Sequence, residues 1–406
     1  MLRCGLLGEK LGHSWSPEIH GMLGDYEYRL YERAPVEVAD FLQNGAWDGL
    51  NVTVPYKKTV VPFCDELTET AKRLGSVNTL VRHADGTVLG DNTDVFGFEM
   101  MLATSGLSVK DKKVLVLGSG GASVTVSDVL RRAGAEVVII SRTGENHYGN
   151  LFLHKDARLV VNTTPVGMYP NNGNAPLSLE HFPDCEGVLD IIYNPLRTAL
   201  LCQAEARGLV AVNGLSMLVA QAVRSSERFT GTPVSESEIG RIFAALRQKS
   251  ENIVLIGMAG CGKTTVGEAL SRRLNRPFVD TDLLITEKAG KPIPEIFAQS
   301  GEEVFRRLES DVIKEVGKRS GLIIATGGGC VTRPENYEPL HQNGKLILLW
   351  RDPEKLSKEG RPLSQKTDPA VLWVRREECY RRFADGTVDN NGTVVDTVQH
   401  ILEENR

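Results

Sequence analysis

A glycine-rich loop that ends in Lys-Thr-Thr is the strongest chemical signal in the sequence. Residues 257–265 read Gly-Met-Ala-Gly-Cys-Gly-Lys-Thr-Thr, which matches the spacing of a phosphate-binding loop. A glycine-rich turn with a chance Lys-Thr is the alternative, but the apolar run 253–256 before it and the helical spacing of 266–274 after it favour a nucleotide site. The backbone N–H groups would surround a polyphosphate, the lysine would reach its terminal phosphates and a threonine hydroxyl would bind Mg²⁺. The predicted nucleotide contacts are Gly260, Cys261, Gly262, Lys263, Thr264 and Thr265.

Two carboxylates follow the next apolar strand, 278–279, in the sequence Asp280-Thr281-Asp282. Alternate carboxylates at a strand end can divide their roles between Mg²⁺ and an acceptor hydroxyl. A helix cap at Asp282 explains the same spacing, and the residues alone leave both interpretations open. Further on, three consecutive glycines at 327–329 permit close approach of the backbone to a ligand.

A second glycine turn lies in the middle of the chain. Gly118, Ser119, Gly120, Gly121 and Ala122 separate an apolar strand, 114–117, from a predicted helix, 123–133. This arrangement suits the pyrophosphate of a dinucleotide. The next strand, 136–140, ends at Ser141, Arg142 and Thr143, whose hydroxyls and guanidinium suit a 2′-phosphate. The sequence therefore predicts NADP(H) rather than NAD.

The first hundred residues carry three weaker signals. Ser14 and Ser16 share a loop closed by a proline, Lys57 follows the end of strand 50–54, and Asp94 opens helix 95–102. Ends of strands are where α/β proteins place their sites. Helix caps for the serines and Asp94, and a solvated Lys-Lys pair at 57–58, are the alternatives.

These residues must be positioned by strands that alternate with helices along most of the chain, a pattern that predicts α/β domains with doubly wound, parallel sheets. At 406 residues, two or three domains are expected. Net charge is −5 and no apolar run has the length of a membrane span, so neither a nucleic-acid partner nor a membrane partner is predicted. Seven cysteines without a C-x-x-C pair, and an N-terminus without a signal-peptide pattern, predict a cytoplasmic protein.

Over residues 1–245 the sequence resembles shikimate dehydrogenase. The matching motifs are His13-Ser14-Trp15-Ser16-Pro17, Asn51-Val52-Thr53-Val54-Pro55-Tyr56-Lys57, Asn78-Thr79, Asp91-Asn92-Thr93-Asp94, the 118–122 turn, 162–168, Tyr193-Asn194-Pro195 and 217–221. The resemblance implies that Lys57 and Asp94 form the catalytic pair. It implies that the acid substrate is bound by Ser14, Ser16, Thr53, Asn78, Tyr193 and Gln221. It adds three cofactor contacts, Thr164, Gly214 and Met217. The stretch between Thr143 and Leu159 is shorter than in the family, which predicts a loop in place of a helix.

Residues 252–406 resemble shikimate kinase through the phosphate loop, Asp280-x-Asp282, Phe305-Arg306, the triple glycine, Arg361-Pro362-Leu363 and Arg376. The resemblance implies that Thr264 and Asp280 hold Mg²⁺ and that Asp282 orients or deprotonates the acceptor hydroxyl. It implies that Arg306, Arg376 and the backbone of Gly328 bind the carboxylate, and that Lys263 and Arg361 act on the phosphates. The segment 355–360 is shorter than the family's lid.

Together the resemblances imply a substrate domain (1–103, with 215–248 packing back), a Rossmann-type NADP domain (104–214) and a P-loop kinase domain with a parallel sheet (250–406). They imply a bifunctional enzyme of aromatic amino-acid biosynthesis that reduces 3-dehydroshikimate with NADPH and phosphorylates shikimate with MgATP. The sequence does not decide whether the chain forms a homodimer. A quinate-type variant of both reactions is the alternative. A degenerate sensor would have lost Lys57, Asp94, Lys263 or Asp282, and all four are present.

Overall fold

The computed structural model describes residues 1–12, 14–356 and 368–404. Contacts divide the chain into two compact units. The first comprises 1–166, 175–193 and 203–246, and the second comprises 167–174, 194–202 and 247–406. The second unit therefore includes two short segments from the middle of the sequence.

A mixed sheet of six strands forms the beginning of the first unit. Its strands are β1 (Arg3–Gly8), β2 (Glu27–Glu32), β3 (Gly49–Val52), β4 (Glu66–Leu67), β5 (Thr79–Arg82) and β6 (Val88–Asp91), in the order β2-β1-β3-β5-β6-β4. Its helices are α1 (Ser16–Leu23), α2 (Val38–Asn44), α3 (Glu69–Leu74) and α4 (Asp94–Ser105). Strand β5 runs antiparallel to both of its neighbours. Leu7, Leu50 and Leu80 on adjacent strands are fully buried, so the alternating apolar residues of these strands make the core.

The other sheet of this unit has five strands, all parallel. They are β7 (Lys113–Leu117), β8 (Glu136–Ile140), β9 (Leu159–Asn162), β10 (Gly187–Asp190) and β11 (Val210–Asn213), in the order β11-β10-β9-β7-β8. The helices of this region are α5 (Gly121–Arg132), α6 (Ala199–Ala206), α7 (Leu215–Thr230) and α8 (Glu236–Ser250). The central strands are continuous apolar runs because both faces of a parallel sheet are covered. The predicted Rossmann-type arrangement is confirmed.

The connection from β8 to β9 is mostly loop. Its regular parts are a short 3₁₀ helix, Leu151–His154, and a single bridge between Ser141 and His147. Glycines at 144 and 149 and the short length of the segment explain why no longer helix forms here. The predicted replacement of a helix by a loop agrees with this structure.

A five-stranded parallel sheet forms the centre of the second unit. Its strands are β12 (Asn252–Ile256), β13 (Phe278–Asp280), β14 (Ile323–Ala325), β15 (Gly344–Trp350) and β16 (Gly386–Asp389), in the order β13-β14-β12-β15-β16. Its helices are α9 (Lys263–Leu274), α10 (Thr281–Ala289), α11 (Ile293–Gly317), α12 (Tyr337–His341), α13 (Pro369–Phe383) and α14 (Val394–Glu404). Helix α11 is interrupted at Gly301, where φ is 81°. This is the predicted parallel sheet of a P-loop domain.

Two predictions about helix bounds are wrong. The sequence predicts a polar joint at 248–252, but α8 continues to Ser250 and β12 begins at Asn252, so only Glu251 lies between them. Helix α5 begins at Gly121 rather than at 123, because the glycines of the turn themselves form its first residue and its cap. Within the described ranges, no helix is both long and apolar enough to span a bilayer.

Candidate active sites

Lys57 and Asp94 form a close ion pair in the first unit. Lys57 follows β3, Asp94 is the first residue of α4, and Lys57 Nζ lies 2.5 Å from Asp94 Oδ2. The amide of Asn78 donates to the other carboxylate oxygen at 2.9 Å. The lysine and aspartate side chains are 27% and 14% exposed, so the pair is reachable by a ligand but shielded from bulk water. The cap of α4 is Thr93, so the interpretation of Asp94 as a helix cap is wrong.

A buried cluster of polar side chains supports Asn78. Its carbonyl oxygen accepts from the backbone N–H of Thr93 at 2.7 Å and from the hydroxyl of Thr79 at 3.0 Å. Asn51 donates to the hydroxyl of Ser225 at 2.7 Å. Sequence reasoning gave no role to Ser225, which lies on α7, more than a hundred residues away in the chain. The cluster fixes Asn78 in one orientation, because a buried amide needs partners for both of its ends.

The other predicted contacts of the acid substrate also lie in the first unit. Ser14 Oγ donates to Ser16 Oγ at 3.1 Å at the start of α1. Thr53 follows β3, and Gln221 on α7 donates to the carbonyl of Leu218 at 2.9 Å. Tyr193 follows β10, and burial raises the pKa of its hydroxyl. Ser14 and Ser16 are thus brought together, whereas Gln221 bonds to its own helix.

The turn after β7 leaves room for a dinucleotide. Gly118 has a φ of 106°, and a side chain there would lie 3.0 Å from Thr163 Oγ1. Space is open beside Gly120 and Gly121. The N-cap residue of α5 is Gly120, so no side chain caps the start of this helix. Exposed N–H groups at the start of a twelve-residue helix fit a pyrophosphate. Ser119 and Ala122 lie in the same turn.

The residues predicted at the 2′-phosphate and the nicotinamide side lie at other strand ends. Ser141 Oγ accepts from the backbone of Gly144 at 2.8 Å, and Arg142 and Thr143 are exposed beside it. Thr164 Oγ1 donates to Asn162 Oδ1 at 2.7 Å after β9. Gly214 caps α7, where a side chain would clash with the carbonyl of Ile191, and Met217 lies in the first turn of that helix.

The phosphate loop of the second unit has the backbone geometry that its glycines predict. The values of φ at Gly257, Gly260 and Gly262 are 143°, 88° and 99°, all positive. The buried ammonium of Lys263 donates to the carbonyls of Gly257 at 2.8 Å and Met258 at 2.9 Å. The loop after β16 also holds this turn, since Asn390 Nδ2 donates to the carbonyl of Cys261 at 2.5 Å. Sequence reasoning missed Asn390.

A hydroxyl and a carboxylate meet beside this loop. Thr264 Oγ1 donates to Asp280 Oδ2 at 2.8 Å. The other oxygen of Asp280 accepts from the backbone of Asp282 at 2.9 Å, so Asp280 is the cap of α10 and the interpretation of Asp282 as the cap is wrong. Two oxygen ligands at this spacing fit Mg²⁺, which is usually bound by one or two protein oxygens together with phosphates and water.

Asp282 and Glu309 form a buried acidic pair. Asp282 Oδ1 and Glu309 Oε1 are both buried and make no hydrogen bond in the described part of the chain. Burial, together with the charges of Asp280 and Glu309, raises the pKa of Asp282 to about 6. Arg306 donates to Glu309 Oε2 at 2.8 Å, yet burial still raises the pKa of Glu309. Sequence reasoning missed Glu309, whose place in the helical pattern of α11 is that of an ordinary charged residue.

The three glycines after β14 let the backbone pass between these groups. A side chain on Gly327 would lie 2.5 Å from Glu309 Oε1, and one on Gly329 would clash with the guanidinium of Arg306. The carbonyl of Gly328 accepts from Arg376 at 3.1 Å and from the hydroxyl of Tyr380. Two guanidinium groups therefore lie at this segment, and each is of a type that can bind a carboxylate through paired hydrogen bonds. Arg361 lies outside the described residues.

Comparisons with known proteins assign each of the two parts of the chain to a family. Residues 6–80 match the family model for the shikimate dehydrogenase substrate binding domain, and 259–406 match that for shikimate kinase. The NADP(+)-type shikimate dehydrogenase of Clostridium perfringens strain SM101 is 36% identical in an alignment of 265 positions that covers 60% of this chain and 97% of that protein. The crystal structure of shikimate 5-dehydrogenase from Thermus thermophilus, in complex with NADP(H) and shikimate, matches with a TM-score of 0.56 and 32% identity, covering 60% of this chain and 99% of that one. Quinate dehydrogenase from Corynebacterium glutamicum, in complex with NAD, matches with a TM-score of 0.54 and 28% identity over 60% and 99% of the two chains.

The fold and the two sites define a two-part α/β enzyme in which a Rossmann-type dehydrogenase is followed by a P-loop kinase domain. The chain belongs to the shikimate dehydrogenase family, and its C-terminal part is a shikimate kinase domain. It is a bifunctional enzyme of the shikimate pathway.

Proposed function

We propose that the N-terminal part reduces 3-dehydroshikimate to shikimate with NADPH and that the C-terminal part phosphorylates shikimate with MgATP. The Lys57–Asp94 pair, 2.5 Å apart at the end of β3, carries the first assignment. The buried Asp282 beside the phosphate loop supports the second. The domain boundaries predicted from the sequence are retained in this proposal, as is a cytoplasmic location, which suits seven free cysteines.

In the dehydrogenase, the bound nicotinamide supplies the hydride. The ketone oxygen becomes negative as its carbon is reduced, and in this proposal Lys57 donates a hydrogen bond and then a proton to it. Asp94 holds the ammonium and in turn is held by Asn78. Ser14, Ser16, Thr53, Tyr193 and Gln221 bind the acid substrate in this proposal.

In the kinase, bound MgATP supplies the phosphoryl group. Asp282 orients the acceptor hydroxyl and takes its proton, for which its raised pKa is suited. Thr264 and Asp280 hold the metal, while Lys263 turns from the loop carbonyls to the phosphates. Arg306 and Arg376 bind the substrate carboxylate with the backbone of Gly328, and Arg361 covers the phosphates.

Two single variants of the full chain test both assignments. Lys57→Ala is expected to lower dehydrogenase turnover by about 10²–10⁴-fold, the usual loss for a general acid, and to leave the kinase unchanged. Asp282→Asn is expected to stop phosphoryl transfer while MgATP binding and the dehydrogenase persist. Lys58→Ala, at the exposed neighbour of Lys57, is the matched control. Dehydrogenase turnover in Lys57→Ala equal to that of Lys58→Ala would refute the role of Lys57.

A quinate-type dehydrogenase is the second candidate, supported by the similarity to the quinate dehydrogenase structure. The two functions differ in substrate and cofactor, so initial rates with shikimate and quinate, each with NADP⁺ and NAD⁺, separate them. We expect shikimate with NADP⁺ to give the highest kcat/KM. A higher value for quinate would establish the second candidate.

A further inference from the structure

Residues 194–198 are held by the kinase-like part of the sequence. The backbone N–H of Leu196 donates to Asn343 Oδ1 at 2.9 Å, and that of Arg197 donates to the carbonyl of Gln342 at 2.8 Å. The guanidinium of Arg197 donates to the carbonyl of His341 at 3.1 Å and lies 3.5 Å from the carboxylate of Glu251. All of these residues belong to the second unit, and 341–343 lie within the match to shikimate kinase. We call residues 341–343 the anchor.

The anchor is itself rigid. Asn343 is 1% exposed, and its amide donates to the carbonyls of Gly317 at 3.1 Å and Lys318 at 3.3 Å. Its own carbonyl accepts from Asn252 at the start of β12, at 2.7 Å. A side chain with both ends bonded and no contact with water holds one position. The loop that it binds is therefore fixed against the end of α11 and the start of β12, the middle strand of the sheet.

The segment 167–174 is attached to the same place. Asn172 Nδ2 donates to Gln342 Oε1 at 2.8 Å, and the backbone N–H of Tyr169 donates to the carbonyl of Asn194 at 3.0 Å. Both segments follow strands of the parallel sheet of the first unit, β9 and β10, in the sequence. Each contains or adjoins a motif that the shikimate dehydrogenase resemblance assigns to ligand binding.

Tyr193 is the residue directly before the anchored segment. On its other side, the backbone N–H groups of Ile191 and Ile192 donate to the carbonyl of Asn162 and to Asp190 Oδ1, both at 3.1 Å. The chain is thus fixed immediately before Tyr193 by its own sheet and a few residues after it by the anchor. Releasing the second attachment would give the Tyr193 backbone freedom that substrate binding must remove again.

We propose that residues 341–343 are a positioning element for Tyr193, so that binding of the acid substrate by the dehydrogenase depends on residues of the kinase domain. This rests on the proposed dehydrogenase function, in which Tyr193 contacts that substrate. The effect is one of binding rather than chemistry, because in the proposed function Tyr193 contacts the substrate whereas Lys57 supplies the proton. It therefore appears in KM and leaves kcat nearly unchanged.

The test uses the full chain with substitutions at Arg197. Arg197→Ala is expected to raise the KM for shikimate in the NADP⁺-dependent reaction by about 5- to 30-fold, the factor for one to two lost hydrogen bonds of this kind. Arg197→Lys keeps a cation beside Glu251 and is expected to recover part of the loss. Kinase kcat and KM should be unchanged in both. Asn172→Ala, a milder variant that removes one bond to Gln342, is expected to raise KM by about 2- to 10-fold and serves if Arg197→Ala fails to fold.

Arg207→Ala is the matched control, because Arg207 also donates to two backbone carbonyls, those of Leu179 and Phe182, but not to the anchor. A rise in KM for Arg197→Ala and Asn172→Ala without a rise for Arg207→Ala supports the proposal. An unchanged KM, or an equal rise in all three, overturns it. If the unaltered chain does not oxidise shikimate with NADP⁺ at all, the proposed function itself fails, and this result is distinct from the other two.

Discussion

Arg142 is exposed at the end of β8, beside the turn that is open to a dinucleotide. Its guanidinium can bind a 2′-phosphate through two hydrogen bonds, whereas a carboxylate at this place would repel the phosphate and accept from the ribose hydroxyls. We expect Arg142→Asp to lower kcat/KM for NADP⁺ by about 10²-fold, the loss of one charge-assisted pair, and to lower that for NAD⁺ far less. Arg131→Asp, an exposed arginine near the end of α5, is the control for net charge. Equal efficiency of the unaltered chain with both cofactors would contradict the assignment.

His20 links the charge state of one side chain to the stability of the first unit. It lies on α1 with Nδ1 2.6 Å from the hydroxyl of Tyr26, and its ring stacks on Tyr28 at 3.9 Å between centroids. Burial lowers the pKa of this imidazole to about 3. The unfolded chain binds a proton here below the usual pKa of 6.5 and the folded chain does not, so stability is present near neutral pH and falls as the pH drops from 6.5 towards 3.

We therefore expect this one group to cost roughly 2 kcal/mol of unfolding free energy between pH 7 and pH 5. His20→Gln, which keeps a partner for Tyr26 but does not titrate, should show a smaller drop in the melting temperature over that range. His181→Gln, at an exposed histidine, is the control and should follow the unaltered chain. The measurement is the melting temperature of each chain at four or five pH values between 7 and 5. An equal drop for His20→Gln and the unaltered chain would contradict a buried neutral imidazole.

Among helices and strands, the sequence predicts best the bounds of segments in which the spacing of apolar residues follows one clear period. Strand 136–140 has the predicted bounds, and strand 114–117 begins one residue earlier than predicted. The predictions that are wrong concern places where tertiary contacts overrule a local signal. Helix α8 continues through Gln248 to Ser250, although the polar composition there is typical of a joint. No local property of these residues distinguishes a solvated helix end from a linker.

The site residues likewise divide into those that motifs predict and those that only tertiary contacts reveal. Lys263, Asp282 and Arg142 lie in or beside motifs, and their positions at strand ends follow from the parallel sheets. Ser225 takes part in the first site through a bond with Asn51, far away in the sequence, and Glu309 takes part in the second because the fold brings it beside Asp282 and Gly327. Their types and spacing are those of ordinary helix residues, so only the fold reveals them. Once a buried arginine is predicted at 306, however, an acidic residue three positions on in a helix is the signal that could have been used.

The triple glycine gives a prediction for an element rather than for a reacting group. A side chain on Gly329 would clash with the guanidinium of Arg306, which is 6% exposed and has little room to move. We expect Gly329→Ala to displace that guanidinium and to raise the kinase KM for shikimate by about tenfold or more, with a smaller effect on the KM for ATP. Gly240→Ala on α8 is the control, because a side chain there meets nothing within 4 Å. An unaltered KM for shikimate in Gly329→Ala would show that Arg306 does not need its present position.

For the whole molecule, the division into compact units differs from the division into families. The family resemblance ends the dehydrogenase near residue 245, and the first unit ends at 246, but 167–174 and 194–202 pack with the kinase-like part. A boundary drawn from motifs cannot detect this, because both segments carry the dehydrogenase pattern. The asparagine and the glutamine that bind them, Asn343 and Gln342, look like polar turn residues in the sequence.

In the proposed function the two parts catalyse consecutive reactions, which raises the question of whether shikimate passes directly between them. Shikimate is a stable, soluble anion, so it needs no shelter from water, and each part of the chain has its own glycine loop and its own groups for a carboxylate. The attachment of 194–198 constrains a loop, and this requires no path for the intermediate.

We therefore expect no channelling: the unaltered chain should show the same lag before shikimate 3-phosphate appears as an equal mixture of Lys57→Ala and Asp282→Asn chains with matched active-site concentrations. In the mixture every shikimate molecule must leave one chain to enter another. A lag in the mixture that is absent in the unaltered chain, together with failure of added unlabelled shikimate to dilute the labelled product, would demonstrate transfer within the chain.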